Sequence, residues 1–147
     1  MKKLLPCLVL TFSLLSNFSS FAFADNTANG ESVVEYANKY LGTSYLSGGG
    51  SPESGFDCSG FVQYVYSHFG IDICRITDYM YTSGYAVSYD EAKAGDLILF
   101  YINGTCTHCA IYAGNGQMVH ASNSFSGVVT SNVSDFLYDD FIVRRIL

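Results

Sequence analysis

One cysteine and two histidines carry the chemistry that this chain could perform. Cys58 stands in the run Gly55-Phe56-Asp57-Cys58-Ser59-Gly60-Phe61, and His108 and His120 follow far downstream, twelve residues apart. A thiol acts as a nucleophile only as its anion, and a free cysteine with a pKa of ~8.5 is mostly protonated at neutral pH. Two devices lower that value: the unpaired N–H groups and dipole of a helix N-terminus, and a neighbouring imidazolium. Phe61, Val62, Val65, Tyr66 and Phe69 recur at helical spacing and Gly70 follows, so the sequence predicts a helix over 58–69 with Cys58 at its start. There the N–H of Cys58 is a ready donor for an oxyanion. Gly55 and Gly60 are expected to let a substrate approach the backbone closely. A lone cysteine is most often a small buried apolar residue, but Asp57 and Ser59 are not the neighbours of an inert core position.

A base must reach this thiol. His68 lies on the same predicted helix ten residues on, roughly 15 Å away at ~1.5 Å rise per residue, so it is expected at the surface. His108 and His120 fall in two predicted strands with Gly114-Asn115-Gly116 between them. If the turn centres on Gly114, the imidazoles oppose one another on one sheet face, with Cβ atoms ~4.5–5.5 Å apart. A slip of one residue would separate them onto opposite faces. In the aligned case His120 orients His108, and His108 takes the thiol proton.

The elements that position these groups follow from the rest of the chain. Lys2 and Lys3, a largely apolar stretch to Phe23, and the small-x-small run Ala22-Phe23-Ala24 read as a signal peptide over 1–24, cleaved before Asp25. A retained membrane anchor fits less well, given Pro6 and the Ser- and Asn-containing second half, and Cys7 precedes the apolar region that a lipid-modified cysteine would follow. Residues 25–147 are one domain's worth of chain. Without Lys2 and Lys3, five basic residues face thirteen acidic ones, a formal charge near −8. That excludes a nucleic-acid binder relying on a basic patch, and it excludes adhesion to anionic wall polymers by charge alone.

Residues 31–41 read as a first helix, and Gly48-Gly49-Gly50-Ser51-Pro52 as loop. A short helix is expected around 77–81. Short apolar or β-branched runs at 97–101, 108–113, 117–122, 128–130 and 141–145 read as strands. Helices followed by a meander of strands give an α+β domain, its N-terminal helices packed on a central antiparallel sheet.

Tyr45 with Gly48-Gly49, then Asp57-Cys58-Ser59-Gly60-Phe61, Gly95-Asp96-Leu97, His108 with Ile111-Tyr112, and Met118-Val119-His120-Ala121 cover almost the whole chain after residue 24. In this order they resemble the NlpC-type cell-wall peptidases, papain-like cysteine enzymes that cut the peptide stems of bacterial peptidoglycan. The resemblance implies a papain-like NlpC-type fold, with Cys58 as nucleophile, His108 as general base and His120 as the residue orienting it. It implies hydrolysis of the γ-D-glutamyl–diamino-acid bond in a stem peptide or muropeptide. It also implies a secreted protein, extracellular or in the cell wall or periplasm, with no stable membrane association after signal cleavage, acting as a monomer without metal or cofactor. Tyr45, Asp57 and Ser59 would line the site, with Asp57 and Ser59 meeting the free amino group of the stem and Tyr45 supporting the oxyanion. Arg75 falls where relatives often carry Pro-Arg, and is expected to face the groove. Leu46-Ser47, Cys74 and Cys109-Ala110 depart from the family pattern.

Other readings compete. Cys106-Thr107-His108-Cys109 with His120 offers ligand types suited to zinc, but His108 and Cys109 are neighbours on one strand and point to opposite faces. A thioredoxin-like role would place the Cys-x-x-Cys run at a helix start instead. Cys74 and Cys106 could pair in an oxidising compartment. An N-acetylmuramoyl amidase on the same architecture and a non-catalytic wall-binding module are the alternatives in function.

Overall fold

The computed structural model describes residues 28–147; the leader expected over 1–24 lies outside the described residues. Helix α1, Gly30–Asn38, starts at a capping box. The Asn29 side chain accepts from the N–H of Ser32 at 2.8 Å, and the Ser32 hydroxyl accepts from the N–H of Asn29 at 3.1 Å. These bonds satisfy two of the donors that a helix start leaves without partners. Val33 and Ala37 form its buried face. The helix expected over 31–41 stops earlier, at Asn38, because the chain leaves through turns toward Gly42, whose φ is +85°. Helix α2, Cys58–His68, buries Phe61, Val62, Val65 and Tyr66, and Asp57 is its N-cap. The glycine-rich loop between the helices holds a small hairpin of β1, Gly50–Ser51, and β2, Gly55–Phe56. The helix expected near 77–81 is a 3-10 helix over Thr77–Thr82.

The remaining strands are β3 (Tyr85–Val87), β4 (Leu97–Ile102), β5 (Thr105–Gly114), β6 (Gln117–Ala121), β7 (Val128–Asn132) and β8 (Asp140–Arg145). They form one sheet in the order β3-β8-β4-β5-β6-β7, antiparallel throughout. Alternation divides their side chains between two cores. Leu97, Leu99, Cys109, Ile111, Val119 and Ala121 pack with the residues of α1 and α2. Ile98, Phe100, Ala110, Tyr112 and Met118 pack on the other face with Phe136, Tyr138 and Phe141. This is the α+β architecture expected. Strand β3 was not: it is only three residues long, two of them exposed.

Asp96, at the entry to β4, is 3% exposed and accepts from Arg145 at 2.8 and 3.0 Å and from the N–H of Lys93 at 2.8 Å. The Gly95-Asp96-Leu97 station therefore ties β8 to the start of β4 and belongs to the fold.

Candidate active site

Helix α2 presents Cys58 as its first residue. The carboxylate of Asp57 accepts from the N–H of Gly60 at 2.8 Å, which leaves the N–H groups of Cys58 and Ser59 without acceptors inside the helix. The side chain of Cys58 is partly buried against the core between the helices and the sheet. Neither flanking glycine opens a path for substrate as the sequence suggested. A Cβ on Gly60 would run into the carbonyl oxygen of Gly49, and one on Gly55, at φ +102°, into that of Ser44. Both glycines let the protein's own loop pack against the start of α2.

His108 on β5 and His120 on β6 share a sheet face, and their rings meet with Nε2 of His108 2.7 Å from Nδ1 of His120. The register differs from the expected one. Asn115 and Gly116, at φ +52° and +75°, make the tight turn, and an irregularity between Tyr112 and Gly114 sets Tyr112 opposite Met118 and Ile111 opposite Val119. Beyond that irregularity the pairing thus centres one place later than Gly114, so the histidines lie on a diagonal. Because side chains alternate with period two, they still share a face, and diagonal pairs remain within reach of aromatic side chains.

Two further residues hold the pair. Phe136 stacks on His108 with ring centroids 4.5 Å apart and 25° between planes, and Ser131 on β7 places its Oγ 3.0 Å from Nε2 of His120. Sequence reasoning missed both: the strand expected over 128–130 ended before Ser131, and Phe136 lies in a connection without periodicity. His68, as expected, is exposed and elsewhere, stacked on Tyr36 at 3.7 Å between centroids.

The electrostatics single out one thiol. Hydrogen bonding from the Cys109 thiol lowers the pKa of Cys58 most, burial opposes it, and the hydrogen bond and charge of His108 add to the lowering, bringing it down to about 4. Burial, followed by the neighbouring Cys58, pushes Cys109 well above the usual thiol value. Burial drives Cys106 up to about 11. Burial also drives His120 down to about 3, with repulsion from His108 second, so its imidazole is neutral. A neutral imidazole can accept from Nε2–H of His108 at Nδ1, which leaves Nδ1 of His108 for the thiol. Cys58, Cys74, Cys106 and Cys109 are all free, so the pairing considered for Cys74 and Cys106 is not formed. Among the described residues no three His, Cys, Asp or Glu side chains converge as a metal-ligand set.

Tyr45 is held beside the cysteine by a parallel bridge to Phe56. Its phenol is raised above the usual value by burial first, then by the charges of Cys58 and Asp57. Arg75 is less free than expected. It donates to Oδ2 of Asp57 at 2.7 Å, to the Gly49 carbonyl at 3.2 Å and to Oγ of Ser59. Asp57 further accepts from the N–H of Gly48 at 2.8 Å and from Ser59 at 3.3 Å. Burial raises the Asp57 carboxyl, but the bonds from Arg75, Gly60 and Gly48 outweigh it and hold the group below the usual carboxylate value. The structure thus gathers Tyr45, Asp57, Ser59 and Arg75 around the start of α2, with the aspartate and arginine paired.

Comparison with known proteins places the chain in a family. The sequence profile of the NlpC/P60 family matches residues 42–146. A gamma-DL-glutamyl hydrolase of Bacillus subtilis (strain 168) is 36% identical over 141 residues, covering 93% of this chain and 34% of that protein. This chain spans about a third or less of the curated relatives it matches first. The crystal structure of the NlpC/p60 domain of the peptidoglycan hydrolase SagA superimposes with a TM-score of 0.72 at 42% identity, covering 80% of this chain and all of that one. RipD from Mycobacterium tuberculosis, described as a non-catalytic NlpC/p60 domain protein adapted to peptidoglycan binding, superimposes with a TM-score of 0.67 at 26% identity, covering 82% of this chain and 99% of that one. With the profile spanning both histidines and the cysteine, this chain belongs to the NlpC/P60 family.

Proposed function

We propose that this domain is a cysteine endopeptidase of peptidoglycan stem peptides, exported by the leader at 1–24 and acting at the γ-D-glutamyl–diamino-acid bond. The observation that carries the reading is the Cys58 thiol at the start of α2, set beside His108, which is paired at 2.7 Å with a neutral His120. Cys58 Sγ attacks the amide carbonyl carbon, and the developing oxyanion is met by the N–H of Cys58, with Tyr45 at its side. His108 delivers its proton to the departing amine, leaving a thioester on Cys58. It then draws a proton from water, whose oxygen attacks the thioester and frees the thiolate. His120 accepts from His108 throughout and fixes its ring.

Asp57 and Ser59 offer acceptor oxygens to the free amino group of the stem. A carboxylate has about four acceptor positions, and Asp57 already receives Gly48, Gly60, Ser59 and Arg75. The ammonium therefore takes the place of Arg75 on Oδ2.

Incubating the purified chain with muropeptides and resolving products by mass spectrometry tests the proposal. Fragments cut after D-glutamate, lost in Cys58→Ala, are expected. Intact stems released from sugar would instead mark an amidase, and binding without products a non-catalytic module.

A further inference from the structure

Three adjacent strands carry a line of polar side chains on one sheet face. His108 on β5 meets His120 on β6 at 2.7 Å, and His120 meets Ser131 on β7 at 3.0 Å. The β6–β7 register sets His120 opposite Val129 and Met118 opposite Ser131, so Ser131 is the diagonal neighbour of His120 on its own face. His120 is 1% exposed, which leaves water little access to its ring nitrogens.

The two nitrogens of a neutral imidazole play opposite parts, and the partner of one determines the part of the other. For Nδ1 of His108 to exchange a proton with the thiol, Nε2 of His108 must keep its hydrogen and donate it to Nδ1 of His120. His120 then carries its own proton on Nε2, pointed at Ser131. In the other tautomer two N–H groups would confront each other across 2.7 Å. We infer that Ser131 is a positioning residue of the Cys58–His108–His120 site, its hydroxyl accepting from Nε2–H of His120 and so selecting the tautomer in which His108 can act as base. The inference rests on the triad reading. A buried Nε2–H without its acceptor would incur the desolvation penalty of an unmade hydrogen bond. Tautomer exchange or ring rotation would relieve it, and either disturbs His108.

Threonine and valine have nearly the same shape and differ here in the hydroxyl, so Ser131→Thr and Ser131→Val separate hydrogen bonding from packing. The expected result is a fall of about 10-fold in kcat for Ser131→Val with KM little changed, most of it restored in Ser131→Thr. The midpoint for alkylation of Cys58 by iodoacetamide should move up in Ser131→Val only. Nitrogen NMR of the wild-type chain should show His120 protonated at Nε2. Equal behaviour of the two variants, or a His120 protonated at Nδ1, would overturn the inference. Alkylation and NMR need no substrate, so they report on Ser131 even if stem peptides prove not to be cleaved. A wild-type Cys58 with an ordinary thiol midpoint would count against the triad itself.

Discussion

His108 and His120 lie on a diagonal of the β5–β6 pair, yet their rings close to 2.7 Å between Nε2 and Nδ1. The contact is shielded by Phe136, which stacks on His108 and meets His120 edge-on with centroids 5.8 Å apart. An acceptor in this dry position orients the base and supports its charged form. His120→Ala should therefore lower kcat by about 10²–10³-fold with KM changed far less. His120→Asn, which can still present an oxygen, should lose less. Steady-state kinetics on a muropeptide substrate would decide; an alanine variant as active as wild type would remove His120 from the mechanism.

The pKa of the Cys58 thiol is lowered first by the Cys109 thiol and then by His108, against its burial. With its pKa brought down to about 4, Cys58 exists as thiolate above that pH and takes up a proton as the pH falls through it. Alkylation of Cys58, followed by mass spectrometry, should stay fast from pH 8 to about 5 and decline below. Cys106, pushed up to about 11, should remain unmodified over that range. A midpoint near ~8.5 for Cys58 would mean an unactivated thiol.

Hydrogen bonding from the thiol of Cys109, a position that departs from the resembled family pattern, is the largest influence lowering the pKa of Cys58. Cys109→Val should consequently move the alkylation midpoint of Cys58 upward. The activity loss should be greater at pH 5 than at pH 8, because protonation of the nucleophile matters only near its pKa. Stability should change by less than about 1.5 kcal/mol, as for other apolar swaps of similar volume. An unmoved midpoint would show that His108 and the helix start suffice.

What could be read from the sequence was whatever repeats locally. The stripe from Phe61 to Phe69 placed Cys58 on a helix start, and the even separation of His108 and His120 allowed both rings one face if the pairing centred on a residue. What could not be read depends on chain segments meeting. The two-residue turn pairs Gly114 with Gln117, which alone would set the histidines on opposite faces, and the irregularity between Tyr112 and Gly114 takes up the odd residue and returns them to one face. Ser131 reaches His120 from a third strand. Arg75 meets Asp57 eighteen residues away, so its pairing with that carboxylate left no mark in the spacing. Gly60 carried a misleading signal: glycine beside a nucleophile suggests room for substrate, and the room is taken by the carbonyl of Gly49.

The Arg75–Asp57 pair gives a stability difference with a defined pH dependence. The Asp57 carboxyl is held below its ordinary value of 3.8, in part by Arg75. The stabilisation from a lowered carboxylate pKa is present above the unfolded value and is lost as the pH falls through the folded one. Arg75→Gln should therefore cost about 1 kcal/mol at pH 7, a modest figure because the Arg75 side chain is 35% exposed and the pair is screened. That cost should shrink as the pH is lowered past 3.8. Urea unfolding at pH 7 and at pH 3 would show it. A cost unchanged between the two would assign the role of Arg75 to its bond with the Gly49 carbonyl instead.

Gly60→Ala sets helix propensity against packing. Alanine in place of glycine inside a helix ordinarily gains up to about 1 kcal/mol. At position 60 the added Cβ would meet the Gly49 carbonyl oxygen, which also accepts from the N–H of Asp57 at 3.2 Å and from Arg75 at 3.2 Å. Both contacts are backbone-anchored at Gly49, so the methyl can be relieved only by moving the loop or the start of α2. Overpacking of this kind costs about 1–3 kcal/mol, and the net change should be a loss of stability. Gly50→Ala, whose Cβ would meet nothing within 4 Å, is the control and should stay within about 0.5 kcal/mol of wild type. Because Gly60 donates to the Asp57 cap beside Cys58, the fall in melting temperature should be accompanied by lower reactivity of Cys58 toward iodoacetamide. A Gly60→Ala variant more stable than wild type would show that the start of α2 is not packed against Gly49 in solution.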